Sequence, residues 1–233
     1  MIKRYLSLLI FSVLAMTMSA CSDGAEPTAA KTAPAKTQSA VKTERVEQRE
    51  GEGFVRIAQP VRTSDPDKIE VTEVFWYGCS HCFDFEPMMH AWEKQLPDDV
   101  VLVRSPAMWN ELMVLHAKAF YTAKTLGVLD KVHQPLFDEI NLNKNPLRDR
   151  NALEKLFLAH TDLDAETFRK TFDSFGVNSQ VKQADARARS YGIAGTPELI
   201  VNGKYRVTGR AAGSKANMLK VAEELIEKER AAK

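Results

Sequence analysis

The chain has 233 residues, 44% of them hydrophobic, with 32 basic and 31 acidic side chains. So even a balance argues against nucleic acid as a partner, because phosphate binding needs a basic face. Only three cysteines are present, one short of the four thiolates of a closed all-cysteine zinc site.

Lys3 and Arg4 precede an apolar stretch from Tyr5 through Met16, and the small residues Ser19 and Ala20 follow. That is the layout of a secretory signal over residues 1–20, too short to read as a spanning helix. Ser19-Ala20-Cys21 resembles the end of a bacterial lipobox, with Met18 where leucine is usual. In that reading Cys21 is acylated, becomes the mature N-terminus and anchors the protein to a membrane. The alternative is ordinary cleavage nearby, which would leave Cys21 as a free thiol and a mispairing hazard in an oxidising compartment. Either way the mature chain is exported. From Ser22 to Gly53 no aromatic residue occurs, and Ala, Thr, Lys, Glu, Gln and Pro dominate. Such a segment cannot bury enough apolar surface to offset its ordering entropy, so residues 21–53 are expected to form a lipidated, flexible tether. A coil of this length spans roughly 30 Å root-mean-square.

Phe54 to Lys233 is the right size for one domain with an insertion. Val55–Ile57 and Ile69–Phe75 read as strands, the second nearly continuous in apolar residues toward its end, as a buried central strand is. Cys79-Ser80-His81-Cys82 follows Val74-Phe75-Trp76-Tyr77-Gly78 where strand gives way to helix. On a first helical turn, positions i and i+3 share a face, so two sulfurs at this spacing can close a small disulfide. The first sulfur then sits at the positive helix end, where unpaired N–H groups favour thiolate, the attacking species in disulfide exchange. A half zinc site and an inert structural disulfide are the competing readings. Against zinc, His90, His116, His133 and His160 are scattered without ligand spacing.

The helix is expected from Ser80 to about Leu96, bent by Pro87. Pro97-Asp98-Asp99 reads as a turn and Val100–Val103 as the next strand. Helical spacing then fills residues 108–191, with Gly127 and Pro146 as stops. Strand patterning returns at Glu198–Val201 and Tyr205–Val207, joined by Asn202-Gly203, the strongest short hairpin signal. A terminal amphipathic helix starts near Ser214, with Leu219, Ala222, Leu225 and Ile226 facing inward. The order βαβ, helices, ββα describes an α/β thioredoxin fold in two parts, 54–107 and 192–233, carrying an inserted α-helical domain at 108–191.

Three stretches resemble the DsbA family of bacterial periplasmic thiol-disulfide oxidoreductases. They are Glu73 to Cys82, Leu126 to Val132 with Pro135-Leu136-Phe137, and Gly192 to Tyr205. The resemblance implies that Cys79 is the exposed nucleophile, Cys82 the buried resolving sulfur and His81 the histidine of the active-site dipeptide. It implies that Glu73 is a buried acid aiding proton transfer at Cys82; the alternative is an exposed glutamate on a strand edge. It also implies that Pro197, after Thr196, is a cis-proline packed on the disulfide, where the alternative is an ordinary trans turn. Pro87 matches the kink proline of such active-site helices. Ser80 departs from the family's common proline, which restores an N–H donor and loosens the turn.

A helix terminus contributes at most about 2 kcal/mol, about one and a half pKa units. A strongly oxidising site needs more, so His81 and the backbone N–H groups of the turn are expected to hydrogen bond the sulfur. No cofactor beyond the Cys79–Cys82 disulfide, and no metal, is expected. The expected function is donation of that disulfide by a monomer to reduced, unfolded exported proteins, with reoxidation by a DsbB-like membrane quinone reductase. A disulfide isomerase or reductase would use the same residues, although the dimeric isomerases carry a folded N-terminal domain where this chain has a tether. A copper- or peptide-binding module using Cys79, His81 and Cys82 is the non-catalytic alternative; no Met-rich or additional Cys/His cluster accompanies the pair.

Overall fold

The computed structural model describes residues 53–233. The signal, Cys21 and the tether up to residue 52 lie outside the described residues.

Ile69–Phe75 (β2) is the central strand, and all seven of its residues are buried. It pairs in parallel with Val100–Pro106 (β3) and antiparallel with Glu198–Val201 (β4). Tyr205–Thr208 (β5) continues the sheet, and Phe54–Arg56 (β1) closes it in the order β1-β5-β4-β2-β3. Burial on both faces explains the near-continuous apolar run of β2. β3 runs three residues beyond the expected Val103. As an edge strand it can end on Pro106, which lacks a ladder donor, and the extension sets Arg104 beside Glu73 on β2.

The active-site helix departs from the expected single bent helix. It is two pieces, Ser80–Phe83 (α1) and Glu86–Glu93 (α2), with Pro87 in the first turn of the second. A proline there forfeits no hydrogen bond that the turn could have made, so Pro87 starts α2 where the sequence reading had it kink one helix.

Five helices connect β3 to β4: Glu111–Thr125 (α3), Leu129–Asn141 (α4), Arg150–His160 (α5), Ala165–Phe172 (α6) and Phe175–Tyr191 (α7). Asn110, Asp149, Asp164 and Ser174 cap four of them by accepting a backbone N–H with their side chains. Gly209–Ala212 (α8) and Lys215–Arg230 (α9) end the chain. Met218, Leu219, Ala222, Leu225 and Ile226 of α9 pack with Met89 and Trp92 of α2 over Ile69 and Val71. Each large side chain so buried contributes about 1.5–3 kcal/mol of hydrophobic transfer. Val74 and Ile200 face the other way, against Met113 and Tyr191 of α3 and α7.

The Asn202-Gly203 turn between β4 and β5 has φ of 50° and 64°, the left-handed pair that a two-residue hairpin demands. Gly203 has a second reason to be glycine. A Cβ there would stand 1.9 Å from the carbonyl oxygen of Val61, which accepts no side chain in its path. The same close approach lets the Val61 N–H donate to the Gly203 carbonyl at 2.9 Å.

Candidate active site

β2 ends at Phe75, and four residues later the chain turns into α1, so the strand delivers Cys79 to the N-cap of that helix. Cys79 is partly exposed, whereas Cys82, one turn on, is fully buried; both are free thiols in the structure. Asn141, at the end of α4, donates its side-chain amide to the Tyr77 carbonyl at 2.9 Å. The helical insert thereby holds the loop that presents the cysteines.

The chain returns to this point through the Thr196–Pro197 peptide, which is cis. It sets the Thr196 carbonyl 3.3 Å from the Cys79 sulfur, within reach of its S–H. Cys79, Cys82 and Thr196-Pro197 are therefore brought together although more than a hundred residues separate the last pair from the first.

The two sulfurs occupy opposite electrostatic settings. Hydrogen bonding from the Cys82 thiol, opposed by burial and assisted by the Thr196 side chain and the backbone N–H groups of Cys82 and His81, brings Cys79 down to about 5. Burial, and then the neighbouring Cys79, push Cys82 well above an ordinary thiol. Cys79 is therefore the ionised sulfur at neutral pH and Cys82 keeps its proton. His81 takes part here through its main chain. Its ring is exposed on the rim, beside a groove of about 660 Å³ lined by Thr196, Pro197, Arg210 and Met218.

Glu73 sits on the β2 face shared with Val71 and Phe75, the face that α1 and α2 cover, and is 0% exposed. No hydrogen bond joins it to Cys82. Its nearest charged partner is Arg104, whose Nε lies 3.5 Å from Oε2. Burial first, and then the negative charge of Glu86, push its carboxyl up to about 8 despite Arg104. Arg104 serves three acids, reaching Glu86 at 3.4 Å and the more exposed Glu93 at 2.9 Å. Glu198, immediately after Pro197, is a further buried acid: Arg206 stands 3.6 Å away, and burial raises its pKa. Among the described residues no group of three or more His, Cys, Asp or Glu is placed to hold a metal ion.

The residues that sequence reasoning missed are Arg104, Glu86 and His133. Arg104 meets Glu73 because β2 and β3 run parallel in that register, and register is not written in the period of either strand. His133 has a faint signal, since it shares the buried face of α4 with Val132, Leu136 and Phe137. Its ring packs against Phe75, Tyr77, Phe120 and Phe137, with centroids 5.3–6.2 Å apart.

An ionised, reachable sulfur backed by a protonated, buried one is equipped for thiol-disulfide exchange. On this scaffold it defines a thioredoxin-fold thiol-disulfide oxidoreductase. Sequence relatives narrow the class. The profile of the DSBA-like thioredoxin domain matches residues 70–217, and the chain belongs to that family. It is 42% identical over 182 residues to the thiol:disulfide interchange protein DsbA of Pseudomonas syringae, covering 78% of this chain and 85% of the relative. The DsbA of Pseudomonas aeruginosa is 41% identical over the same length, covering 78% and 86%. The crystal structure of that Pseudomonas aeruginosa protein superimposes with a TM-score of 0.74 at 40% identity, covering 78% of this chain and 94% of the other. The Xylella fastidiosa DsbA gives 0.72 at 28% identity, covering 77% and 96%. The family is periplasmic and carries its electrons on a cysteine pair rather than on a cofactor.

Proposed function

We propose that this protein is a membrane-tethered oxidant that donates a Cys79–Cys82 disulfide to reduced, unfolded exported proteins. A substrate thiolate attacks the Cys79 sulfur, the Cys79–Cys82 bond breaks, and Cys82 leaves as a thiolate that takes up a proton. A second substrate thiolate then attacks the substrate's own sulfur in the mixed disulfide, and Cys79 leaves as the stabilised thiolate. Two substrate thiols become one disulfide and the enzyme retains two electrons and one proton. The observation that carries this reading is the split between the sulfurs: Cys79 is partly exposed at the N-cap of α1 and Cys82 is fully buried, with the first lowered to about 5 and the second raised well above an ordinary thiol. A good leaving group at Cys79 makes the second step fast and makes the reduced enzyme the favoured product.

The proposed roles follow from position. Cys79 is the nucleophile and Cys82 the resolving sulfur. Thr196 and Pro197 line the contact with the client chain, His81 stands at the groove entrance, and Glu73 supplies a proton to the departing Cys82. Residues 108–191 act as a helical cap on the thioredoxin unit. The N-terminal arrangement is also proposed: acylation of Cys21 and a tether over 21–53 would hold a monomeric domain near a DsbB-like quinone reductase in the membrane.

Parallel assays on reduced and scrambled ribonuclease, with a glutathione equilibrium, test the redox role. Rapid oxidation and poor repair are expected. Efficient repair with slow oxidation, at a potential near thioredoxin's, would show an isomerase or reductase instead. Mass spectrometry of the mature N-terminus tests the anchor, and an unmodified Cys21 would remove it.

A further inference from the structure

The helical insert presses one titratable ring against the buried carboxylates beside the active site. His133, on α4, has Nδ1 2.7 Å from the Tyr77 hydroxyl. Its Nε2 faces Glu86 Oε1 at 3.5 Å, within ion-pair reach but beyond a formed hydrogen bond. The same Glu86 oxygen lies 3.4 Å from Arg104 Nη2, and Arg104 Nε lies 3.5 Å from Glu73 Oε2. Two buried carboxyl groups thus share one guanidinium.

Adjacent buried carboxylates repel, and ionising both is costly, so a proton resides on one of the pair. Donors are not divided evenly between them. Glu86 Oε1 accepts from Arg104 Nη2 and is faced by His133, whereas neither Glu73 oxygen has a hydrogen-bond partner; Glu86 Oε2 has none either. We propose that His133 is a positioning residue for this proton: by facing Glu86 it keeps the negative charge on α2 and leaves the proton on Glu73, on the strand beneath α1.

Tyr77 sets the ring for that task. A carboxylate requires a donor, so Nε2 carries hydrogen toward Glu86, and the Tyr77 hydroxyl at Nδ1 holds the ring in that orientation. Tyr77 is buried, and burial followed by the charge of Glu86 raises its pKa well above an ordinary phenol, so it retains its proton. The remaining charged groups around the pair are Glu93 on α2 and His90 on the same helix. Glu73 is pushed up by burial and then by Glu86. Burial also works against ionising Glu86, but the facing N–H and charge of His133, with Arg104 and His90, outweigh it and hold that carboxyl below its usual range. The directions follow the uneven distribution of donors.

The value of this arrangement to catalysis rests on the reading of Glu73 as the donor to Cys82; the placement of the proton does not. Carboxyl-labelled glutamate in the full chain, titrated by NMR in the dithiol form, tests the placement directly, with Glu73→Gln and Glu86→Gln assigning the two signals. In the native protein Glu73 should titrate near 8 and Glu86 in the acid range. His133→Phe keeps the packing ring and removes the donor. It should lower the Glu73 midpoint and raise that of Glu86 by about one unit each or more, while His133→Gln, which retains an N–H donor, should fall between. Should the bare Tyr77 hydroxyl unfold His133→Phe, the Tyr77→Phe/His133→Phe pair gives the same measurement. Midpoints unmoved in these variants, or a native protein whose proton sits on Glu86, would overturn the proposal, as would loss of exchange activity with both titrations unchanged. Titrations that move as expected, beside unaltered exchange in Glu73→Gln, would uphold the placement and reject only the role of Glu73 toward Cys82.

Discussion

The Trp76 indole N–H donates to His116 Nδ1 at 3.1 Å, and His116 Nε2 lies 3.1 Å from the Pro146 carbonyl. An indole only donates and a carbonyl only accepts, so the ring between them is neutral with its hydrogen on Nε2. The pair joins the loop before Cys79 to the insert. Trp76 also lies over Gly78, where a Cβ would stand 2.4 Å from the indole ring.

Burial lowers the pKa of His116 below its ordinary value, against the Pro146 and Leu147 main-chain contacts. A histidine with a depressed folded pKa binds fewer protons folded than unfolded. Its contribution to stability is therefore complete above about 6.5 and is lost as pH falls through that value toward the folded pKa. His116→Gln should cost about 1–2 kcal/mol at neutral pH and show a shallower decline into mild acid. Urea unfolding of both proteins at neutral pH and near pH 5 checks this; parallel declines would mean that His116 does not titrate on unfolding.

Thr196→Val preserves shape and the carbonyl that stands 3.3 Å from the Cys79 sulfur, and removes the hydroxyl, which helps hold Cys79 near 5. A hydrogen bond to a charged group is worth about 1.5–3 kcal/mol, so the thiolate midpoint should rise by about one to two units. The disulfide should become less oxidising by about 30 mV per unit. His81→Ala should also raise the midpoint, by about one unit or less, since water screens an exposed ring and the His81 main-chain N–H remains. Thiolate absorbance against pH ranks the two. A larger shift in His81→Ala would make the ring, and not the threonine, the chief side-chain partner outside the cysteine pair.

Glu73→Gln should flatten the pH dependence of stability between the acid range and pH 8. A carboxyl raised to about 8 binds more protons folded than unfolded between its unfolded value, about 4.3, and 8. Its presence therefore lowers stability progressively as pH rises through that window, with no further loss above it. The variant should be more stable than the parent at pH 8 and close to it at pH 4. Thermal unfolding across the window is the measurement, and a parent no less stable at 8 than the variant would show that Glu73 ionises without penalty.

Much of this protein is legible in its sequence because the relevant signals are local. Strand and helix periods, the Asn202-Gly203 turn, the inward face of α9 and the Cys79-Ser80-His81-Cys82 spacing each depend on neighbours within a turn or two. The thiolate at Cys79 belongs to this group in part, since two of its stabilising contacts are backbone N–H groups of its own helix turn.

Pairings between distant segments were decided only by the tertiary structure. The parallel register of β2 and β3 brings Arg104 to Glu73, the cis peptide at Pro197 sets the Thr196 carbonyl on Cys79, and the α4 face carries His133 to Tyr77 and Glu86. Residues taken as scattered histidines, His116 and His133, turn out to hold the insert against the active-site loop. The physical reason is that burial and like-charge repulsion act through space, while a sequence period reports only the face on which a residue stands.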